Sequence, residues 1–554
     1  MRSLELILMQ SPSPVVLAIA EVLKRRVRER SGVLPDGAVL EGQPVELALE
    51  SGIGIEGYRI TDRAGGGVRI CGNDERGLLY GVGKFLRTSS YGDGEYWNTS
   101  WRGESVPRLP MRGIYFATHF HNFYHDAPLE QAQRYVEDLA LWGFNIINVW
   151  FDMHHYNGLS DPAAQAMIER LHQILSAANR IGMGACLAFL ANEGYANSPE
   201  HLRADWTAGH DGYHHEPGGH YHVELCPSKP GAPELILRWV DEKLAAFSDV
   251  KLDALWIWPY DQGGCTCGDC APWGTNGFLR MAEPIARKYR AAFPEGKVIL
   301  STWYFDHFID GEWAGLDAAF KQRPDWVDYL MVDDYGDHFP AYPLEHGAAG
   351  GLPMVNFPEI SMYRCDPWGG YGANPMPAHL QQLWDAAGAH LQGGFPYSEG
   401  IYEDINKAIC AQYYWQPDKS AQETVSEYVT YEFGREVADE VIQALAILEQ
   451  NLPHSRIRQD GEMKLVLQHA EHARKAYDLL ADADHHMTAQ TRTAWRWRIL
   501  LLRGLIDAEL AAYAGAVTDQ CEDAFTELTA IYHAREAHDW VAPPTRMLRQ
   551  TSMK

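Results

Sequence analysis

The sequence predicts an α/β protein built around a (β/α)₈ TIM barrel, with an N-terminal α+β domain before the barrel and a helical C-terminal domain after it. Short apolar runs alternate with amphipathic helical segments between residues 109 and 418. Mixed strand and helix patterns precede this region, and only helical spacing follows it. Because 554 residues exceed what one core supports, we expect domains at 1–108, 109–418 and 419–554.

The first domain is predicted to be α+β, because it contains apolar residues at both helical and strand spacing. Apolar residues at helical spacing predict a helix over 15–28, and a second helix over 73–87 begins at residues that can cap its first turn. A run of three glycines at 65–67 predicts a hairpin between the last two strands. The strand patterns fall at 4–9, 45–49, 58–61 and 68–71.

The barrel is predicted from eight apolar runs of strand length, most of them followed by an amphipathic helical segment. The segment 339–352, after the sixth run, is rich in Pro and Gly and predicts a degenerate helix. The predicted strands are 113–117, 146–151, 185–190, 254–258, 298–302, 329–332, 354–357 and 392–397. The predicted helices are 129–142, 163–181, 233–247, 277–293 and 378–390.

The last domain shows helical spacing alone, and we expect it to cover one side of the barrel or to form a homodimer contact. Its predicted helices are 421–433, 436–450, 463–481, 489–514 and 521–536.

Composition excludes several classes of function. A formal net charge of -27 argues against nucleic acid or an anionic membrane surface as partner. Neither an export signal nor an apolar stretch of membrane-spanning length is recognisable, so a cytoplasmic protein with reduced cysteines is expected. The 18 Trp and 28 Tyr fit a sugar-binding cleft, because aromatic faces stack on the C–H faces of sugar rings.

Polar side chains follow the predicted strands, whose carboxyl ends share one face of a barrel. Carboxylates beside aromatic and His side chains are the equipment of glycoside hydrolysis, in which one carboxyl protonates the leaving oxygen. Any single Asp or Glu at a strand end could equally cap the next helix. In strand order, the chain places there His119, Asp152, Glu193, Asp261, Trp303, Asp334, Glu359 and Glu399.

Two segments resemble known barrel glycosidases. Arg112-Gly113-Ile114-Tyr115 with His119-Phe120 resembles the opening strand of the family-20 β-N-acetylhexosaminidases. The segment Gly77-Leu78-Leu79-Tyr80-Gly81 resembles the α+β domain that precedes the barrel in those enzymes and in α-glucuronidases. The resemblance covers roughly the first three quarters of the chain and is specific in architecture but loose in motifs.

The resemblance implies roles for several residues of this sequence. Tyr260-Asp261-Gln262 stands where the family carries Asp-Glu, whose Asp orients the substrate's 2-acetamido group and whose Glu is the general acid. Trp303 resembles the Trp that lines the acetamido pocket. Tyr335 and Asp337 resemble a pair that supports the same group. Together with the strand-end pattern, the candidate substrate-binding residues are Arg112, His119, Glu193, Tyr260, Trp303, Tyr335, Asp337 and Glu399.

Gln262 departs from this pattern, because an amide cannot act as a general acid. We favour Asp261 or a neighbouring carboxyl (Glu193, Asp334 or Glu359) as the acid. A hydrolase with another carboxylate layout, or a Glu-to-Gln change that traps substrate, would also explain the amide. The catalytic candidates are therefore Asp261, Gln262, Asp334 and Glu359.

Cys265, Cys267 and Cys270 form a local cluster directly after these residues. Thiolates at this spacing can bind one tetrahedral zinc ion, with Cys226 as the candidate fourth ligand. Free thiols are an equally good interpretation, and no cofactor is expected for catalysis itself.

Together these features predict an exo-acting glycoside hydrolase whose favoured substrate is a β-linked N-acetylhexosamine at the end of an oligosaccharide. Two alternatives stay open at this point. One is a uronic-acid or neutral-sugar glycosidase of α-glucuronidase-like layout, and the other is a catalytically silent sugar-binding barrel, which Gln262 would explain.

Overall fold

The computed structural model describes residues 2–31, 41–92, 94–119, 122–205, 223–260, 264–307, 309–332, 338–361, 372–452, 454–459 and 462–533. Within these ranges, no helix combines the length and the apolar character needed to cross a membrane.

The N-terminal region forms a five-stranded mixed sheet with two helices. Its elements are β1 (Arg2–Leu8), α1 (Pro14–Ser31), β2 (Glu41–Leu49), β3 (Tyr58–Asp62), β4 (Val68–Gly72), α2 (Glu75–Thr88), β5 (Ser90–Gly92), β6 (Glu95–Trp97) and β7 (Gly103–Ser105). Its strand order is β1-β2-β4-β3-β7, and the predicted hairpin of β3 and β4 is confirmed as an antiparallel pair. Asp74 caps α2, because its carboxylate accepts a hydrogen bond of 2.9 Å from the backbone N–H of Gly77.

The central region is a closed parallel barrel, which confirms the predicted TIM fold. Each strand pairs in parallel with the next, and the last strand returns to pair with the first. That last strand is split into two short pieces. The strands are β8 (Met111–Phe116), β9 (Ile146–Trp150), β10 (Gly184–Leu190), β11 (Leu252–Trp258), β12 (Lys297–Ser301), β13 (Tyr329–Val332), β14 (Met354–Asn356), β15 (Leu391–Gly394) and β16 (Tyr397–Ser398).

Helices separate the barrel strands. The degenerate segment after β13 holds the short α9 (Ala341–His346) and one 3₁₀ turn (Ala349–Gly351), because its Pro and Gly residues stop a longer helix. The helices are α3 (Phe123–Asp126), α4 (Leu129–Trp142), α5 (Pro162–Arg180), α6 (Ala232–Ala246), α7 (Gly277–Ala292), α8 (Glu312–Ala319), α9 (Ala341–His346), α10 (Pro377–Ala387) and α11 (Asp404–Trp415).

The C-terminal region is helical, as predicted, and contains one hairpin that the sequence did not predict. An antiparallel hairpin of β17 (His454–Gln459) and β18 (Glu462–Leu467) lies within it. The helix predicted to start at 463 therefore begins only at Ala470. The helices are α12 (Ala421–Glu432), α13 (Ala438–Gln450), α14 (Ala470–His486), α15 (Ala489–Thr493), α16 (Trp495–Ala512) and α17 (Asp519–Ile531). The three domain boundaries themselves stay predictions.

Arg112 ties the barrel to the N-terminal region, which corrects its predicted role in binding sugar hydroxyls. It lies at the start of β8, at the opposite end of the barrel from the strand carboxyl ends, and it is fully buried. Its guanidinium pairs with Glu56 and donates to the carbonyl oxygens of Gly143 at 2.8 Å and Leu109 at 3.0 Å. No sugar at the carboxyl-end face could reach it.

Candidate active site

A cluster of aromatic rings fills the barrel lumen beneath the carboxyl-end face. The indoles of Trp256 and Trp258 stack, with centroids 5.0 Å apart and planes 5° from parallel. The rings of Tyr115 and Phe357 meet Trp256 edge-on at 5.3 and 4.8 Å. Such edge-to-face packing fixes the ring positions, so the site has a rigid aromatic floor. The alternation of side chains in β11 puts both indoles on the inner face.

Trp303 extends this floor at the end of β12. Its half-buried ring packs edge-on against Trp258 at 6.0 Å and Phe357 at 5.7 Å. The backbone of the next residues is strained, because Tyr304 and Asp306 have positive φ angles of 62° and 59°, which residues other than Gly rarely adopt. Backbone strain of this kind is concentrated at functional sites, which supports the assignment of this loop to the site.

His119 and Glu399 follow the carboxyl ends of two neighbouring, paired strands, β8 and β16. The Nδ1 atom of His119 is 3.0 Å from the hydroxyl of Tyr115. Glu399 is fully buried and accepts hydrogen bonds from Tyr397 at 3.1 Å and Tyr402 at 2.8 Å. These contacts fix the position of the Glu399 carboxylate at the strand end.

Glu193 and Glu359 follow β10 and β14. The Glu193 carboxylate is buried, accepts from the backbone N–H of Met153, and pairs with the ammonium group of Lys243 at 3.2 Å. Glu359 is half-buried, and its carboxylate accepts a hydrogen bond of 2.6 Å from the N–H of Ser361. Both carboxylates are thus held in place, and their chemical roles stay predictions.

Tyr260 connects β11 to a carboxylate that the sequence did not suggest. Its hydroxyl lies 2.5 Å from Glu312. Glu312 also accepts from the N–H groups of Gly274 at 2.6 Å and Asp306 at 3.1 Å. Burial raises the pKa of Glu312 to about 7. This network supports the loops after β11 and β12, so we treat Tyr260 as a positioning residue and not as a sugar contact.

The other predicted site residues lie outside the described residues. They are Asp261, Gln262, Asp334, Tyr335 and Asp337. The strands that precede them, β11 and β13, end at Trp258 and Val332 on the carboxyl-end face.

A cavity of about 450 Å³ opens beside the ends of β8 and β9. His119, Asp152 and His155 line it together with Arg170 from α5. Asp152 lies 2.5 Å from Nδ1 of His154, and its second oxygen lies 3.7 Å from His155. In the described part of the chain, Asp152, His154 and His155 are one of two groups whose donor atoms are close enough to hold a metal ion.

Besides Glu312, two buried partners were missed by sequence reasoning, Lys243 and Tyr402. Lys243 had a usable signal, since it stands at helical spacing from Ile236 and Val240 on the buried face of α6. A lysine on an apolar stripe needs a buried acid nearby, and Glu193 is that acid. Tyr402 had no such signal, because the turn that returns it to Glu399 is not recognisable in sequence.

The architecture defines the fold class: a (β/α)₈ TIM barrel whose carboxyl-end face carries polar side chains. No protein-family model and no curated protein matches the sequence.

Solved structures, in contrast, match over most of the chain. One is a 4-O-methyl-α-glucuronidase of glycoside hydrolase family 115 with specificity for decorated arabinogalactans, at TM-score 0.64 and 11% identity, covering 100% of this chain and 79% of that one. Another is the β-hexosaminidase of Streptomyces plicatus in complex with GlcNAc, at TM-score 0.52 and 14% identity, covering 82% and 91%. A family 89 enzyme from Clostridium perfringens, in complex with its substrate GlcNAc-α-1,4-galactose, gives 0.62 and 12%, covering 93% and 64%. At these identities the likeness establishes a shared fold.

Proposed function

We propose that this protein is an exo-acting glycoside hydrolase that removes a terminal sugar from an oligosaccharide, with a β-linked N-acetylhexosamine as the favoured substrate. The observation that carries the proposal is the pairing of a rigid aromatic floor with acidic side chains on the carboxyl-end face of a TIM barrel. Trp303, the half-buried ring of this floor, can pack against the apolar face of a sugar, while carboxylates bind its hydroxyls and supply the proton.

The proposed division of labour follows the strands. Asp261, with Tyr335 and Asp337, orients the acetamido group, and Trp303 packs against its methyl group. Glu399 binds outer hydroxyls. Asp261 or a neighbouring carboxyl, Asp334 or Glu359, donates the proton to the leaving oxygen. If the acetamido oxygen is the nucleophile, the chain itself has only to orient it and to protonate the leaving group.

A uronic-acid glycosidase is the second candidate. It is supported by the structural similarity to the family 115 α-glucuronidase, which extends over the whole of this chain. That specificity needs a cation to pair with the sugar carboxylate. Within the described ranges, the side chains that directly follow the barrel strands include no Lys or Arg.

A panel of p-nitrophenyl glycosides tests the proposal: β-GlcNAc, β-GalNAc, glucuronate, glucose and galactose. We expect release from the N-acetylhexosamine substrates, and loss of it in Asp261→Asn. Release from glucuronide alone would favour the second candidate. No release from any substrate, combined with measurable sugar binding, would show a sugar-binding barrel. A gain of activity in Gln262→Glu would show that the acid is disabled in this chain.

A further inference from the structure

Four cysteines from two separate loops meet beside the site. Cys226 lies between β10 and α6, whereas Cys265, Cys267 and Cys270 lie between β11 and α7. The sulfur of Cys226 is 3.7 Å from that of Cys267 and 3.8 Å from that of Cys270. All four sulfurs lie within 4.8 Å of one another. We call this group the four-cysteine cluster.

The sulfur separations match a metal site and not a disulfide. A disulfide requires an S–S distance of about 2.05 Å. Four thiolates bound to zinc at about 2.3 Å in a tetrahedron stand about 3.8 Å apart. The measured 3.7 and 3.8 Å agree with the second geometry.

The surroundings of the cluster suit thiolate ligands. Cys226, Cys265 and Cys270 are buried, and Cys267 is half-buried at the edge. The hydroxyl of Ser228 lies 2.8 Å from the sulfur of Cys226, and the N–H of Asp205 donates to the sulfur of Cys265 at 3.4 Å. Donors of this kind orient metal-bound sulfur and stabilise its charge. An all-sulfur donor set selects zinc or iron over the harder cations.

We propose that the four-cysteine cluster binds one structural zinc ion, which clamps the loop that follows β11 to the loop that precedes α6. Binding displaces the thiol protons to solvent, so each sulfur coordinates as a thiolate. With four protein ligands the coordination sphere is closed, and the ion has no position for a substrate or water. Its role is to hold the loop, and it takes no part in sugar chemistry.

Two further contacts show why this clamp matters for the site. The side-chain amide of Asn192, at the end of β10, donates to the carbonyl of Leu225 at 2.9 Å and to that of Gly264 at 3.3 Å. Trp273 lies against Gly264 and donates to the carbonyl of Pro259 at 2.6 Å. These contacts hold the segment that begins at Gly264. In the chain, this segment follows the catalytic candidates Asp261 and Gln262 with one residue between.

Metal content tests the proposal independently of any glycosidase assay. Protein purified without an affinity tag that binds metal should carry one zinc per chain by elemental analysis and native mass spectrometry. Cobalt substitution should give the intense sulfur-to-cobalt absorption of a tetrahedral thiolate site. Cys267→Ser, which changes the most exposed ligand, should lower zinc occupancy at least tenfold in dilute chelator. The matched control Cys521→Ser changes a buried cysteine of α17, outside the cluster, and should keep the full zinc content.

Hydrogen exchange of the wild-type protein gives a readout that does not depend on a variant that folds. Removal of zinc by chelator should speed exchange at residues 264–273 and leave that of β10 unchanged. Iron in place of zinc, a disulfide between any two cluster cysteines in freshly purified protein, or wild-type protein that binds no metal from zinc-supplemented reducing buffer would each overturn the proposal.

Discussion

The hydroxyl of Tyr260 lies 2.5 Å from the buried carboxyl group of Glu312, which joins the end of β11 to the start of α8. Tyr260 is the residue before Asp261. A hydrogen bond that fixes the Tyr260 side chain therefore restricts the backbone directly before the candidate catalytic residue. Glu312 is itself held by the backbone of the loops after β11 and β12.

The raised pKa of Glu312 predicts a pH dependence of stability. Burial raises that pKa from 4.5 to about 7, so the folded state binds the proton more tightly than the unfolded state. Its stabilising contribution is full below pH 4.5 and is lost as the pH rises through 7. A shift of this size is worth about 3 kcal/mol. Urea unfolding of Glu312→Gln between pH 4.5 and 8 should show a flatter profile than wild type. Glu283→Gln, an exposed control on α7, should keep the wild-type profile, and an unchanged slope in Glu312→Gln would contradict the assignment.

Tyr260→Phe should lower kcat for sugar release more than it changes KM, because the hydroxyl positions the segment and does not bind sugar. Loss of the hydrogen bond should also cost about 1–2 kcal/mol of unfolding free energy. Tyr289→Phe is the matched control, since its buried hydroxyl donates to Leu252 at the opposite end of the same strand. It should show a similar stability loss with unchanged kcat. A rise in KM alone for Tyr260→Phe would indicate a sugar contact instead.

Arg112→Met should destabilise the protein and leave KM unaltered. Removal of the guanidinium leaves Glu56 buried without its closest partner, a loss of about 3–5 kcal/mol for a buried ion pair. Unfolding free energy and KM should be measured on the same preparation at a temperature where the variant is folded. A large increase in KM with unchanged stability would restore the sugar-binding role that the structure removes.

Glu399→Gln should reduce kcat/KM by about 10- to 100-fold, because a hydrogen bond from a sugar hydroxyl to a charged acceptor is worth about 1.5–3 kcal/mol. Steady-state kinetics on the p-nitrophenyl substrate that the protein releases fastest gives the number. Glu449→Gln provides the control, since that carboxylate accepts from the first N–H groups of α10, outside the strand ends. Equal losses in both variants would argue against a sugar contact at Glu399.

The barrel could be predicted from sequence because its strands are continuous apolar runs of nearly the observed length. The predicted 329–332 coincides with β13, and the predicted 254–258 misses only the first two residues of β11. Parallel barrel strands are buried on both faces, so they read as uninterrupted apolar segments. The hairpin of β17 and β18 was missed because it lies between helices and carries charged residues, which obscure the alternation expected of a strand.

The candidate site was predictable in its location but only partly in its contacts. Strand ends identify the residues that reach the face, and His119 and Glu399 lie there as expected. Arg112 was predicted to bind substrate from a short motif of neighbouring residues. Such a motif does not show whether a residue lies at the amino or the carboxyl end of its strand. The Glu312 contact could not be found in the sequence, since it joins segments 52 residues apart through tertiary packing.

The most direct test compares the same substitution at the two ends of β11. Asp261 follows its carboxyl end, whereas Asp253 lies near its start and accepts a hydrogen bond of 3.2 Å from the N–H of Ala185. If the carboxyl-end face carries glycoside hydrolysis, Asp261→Asn should lower kcat/KM for p-nitrophenyl β-GlcNAc by at least 100-fold, and Asp253→Asn should leave it within about threefold of wild type. Equal activity of the two variants would contradict the proposed site.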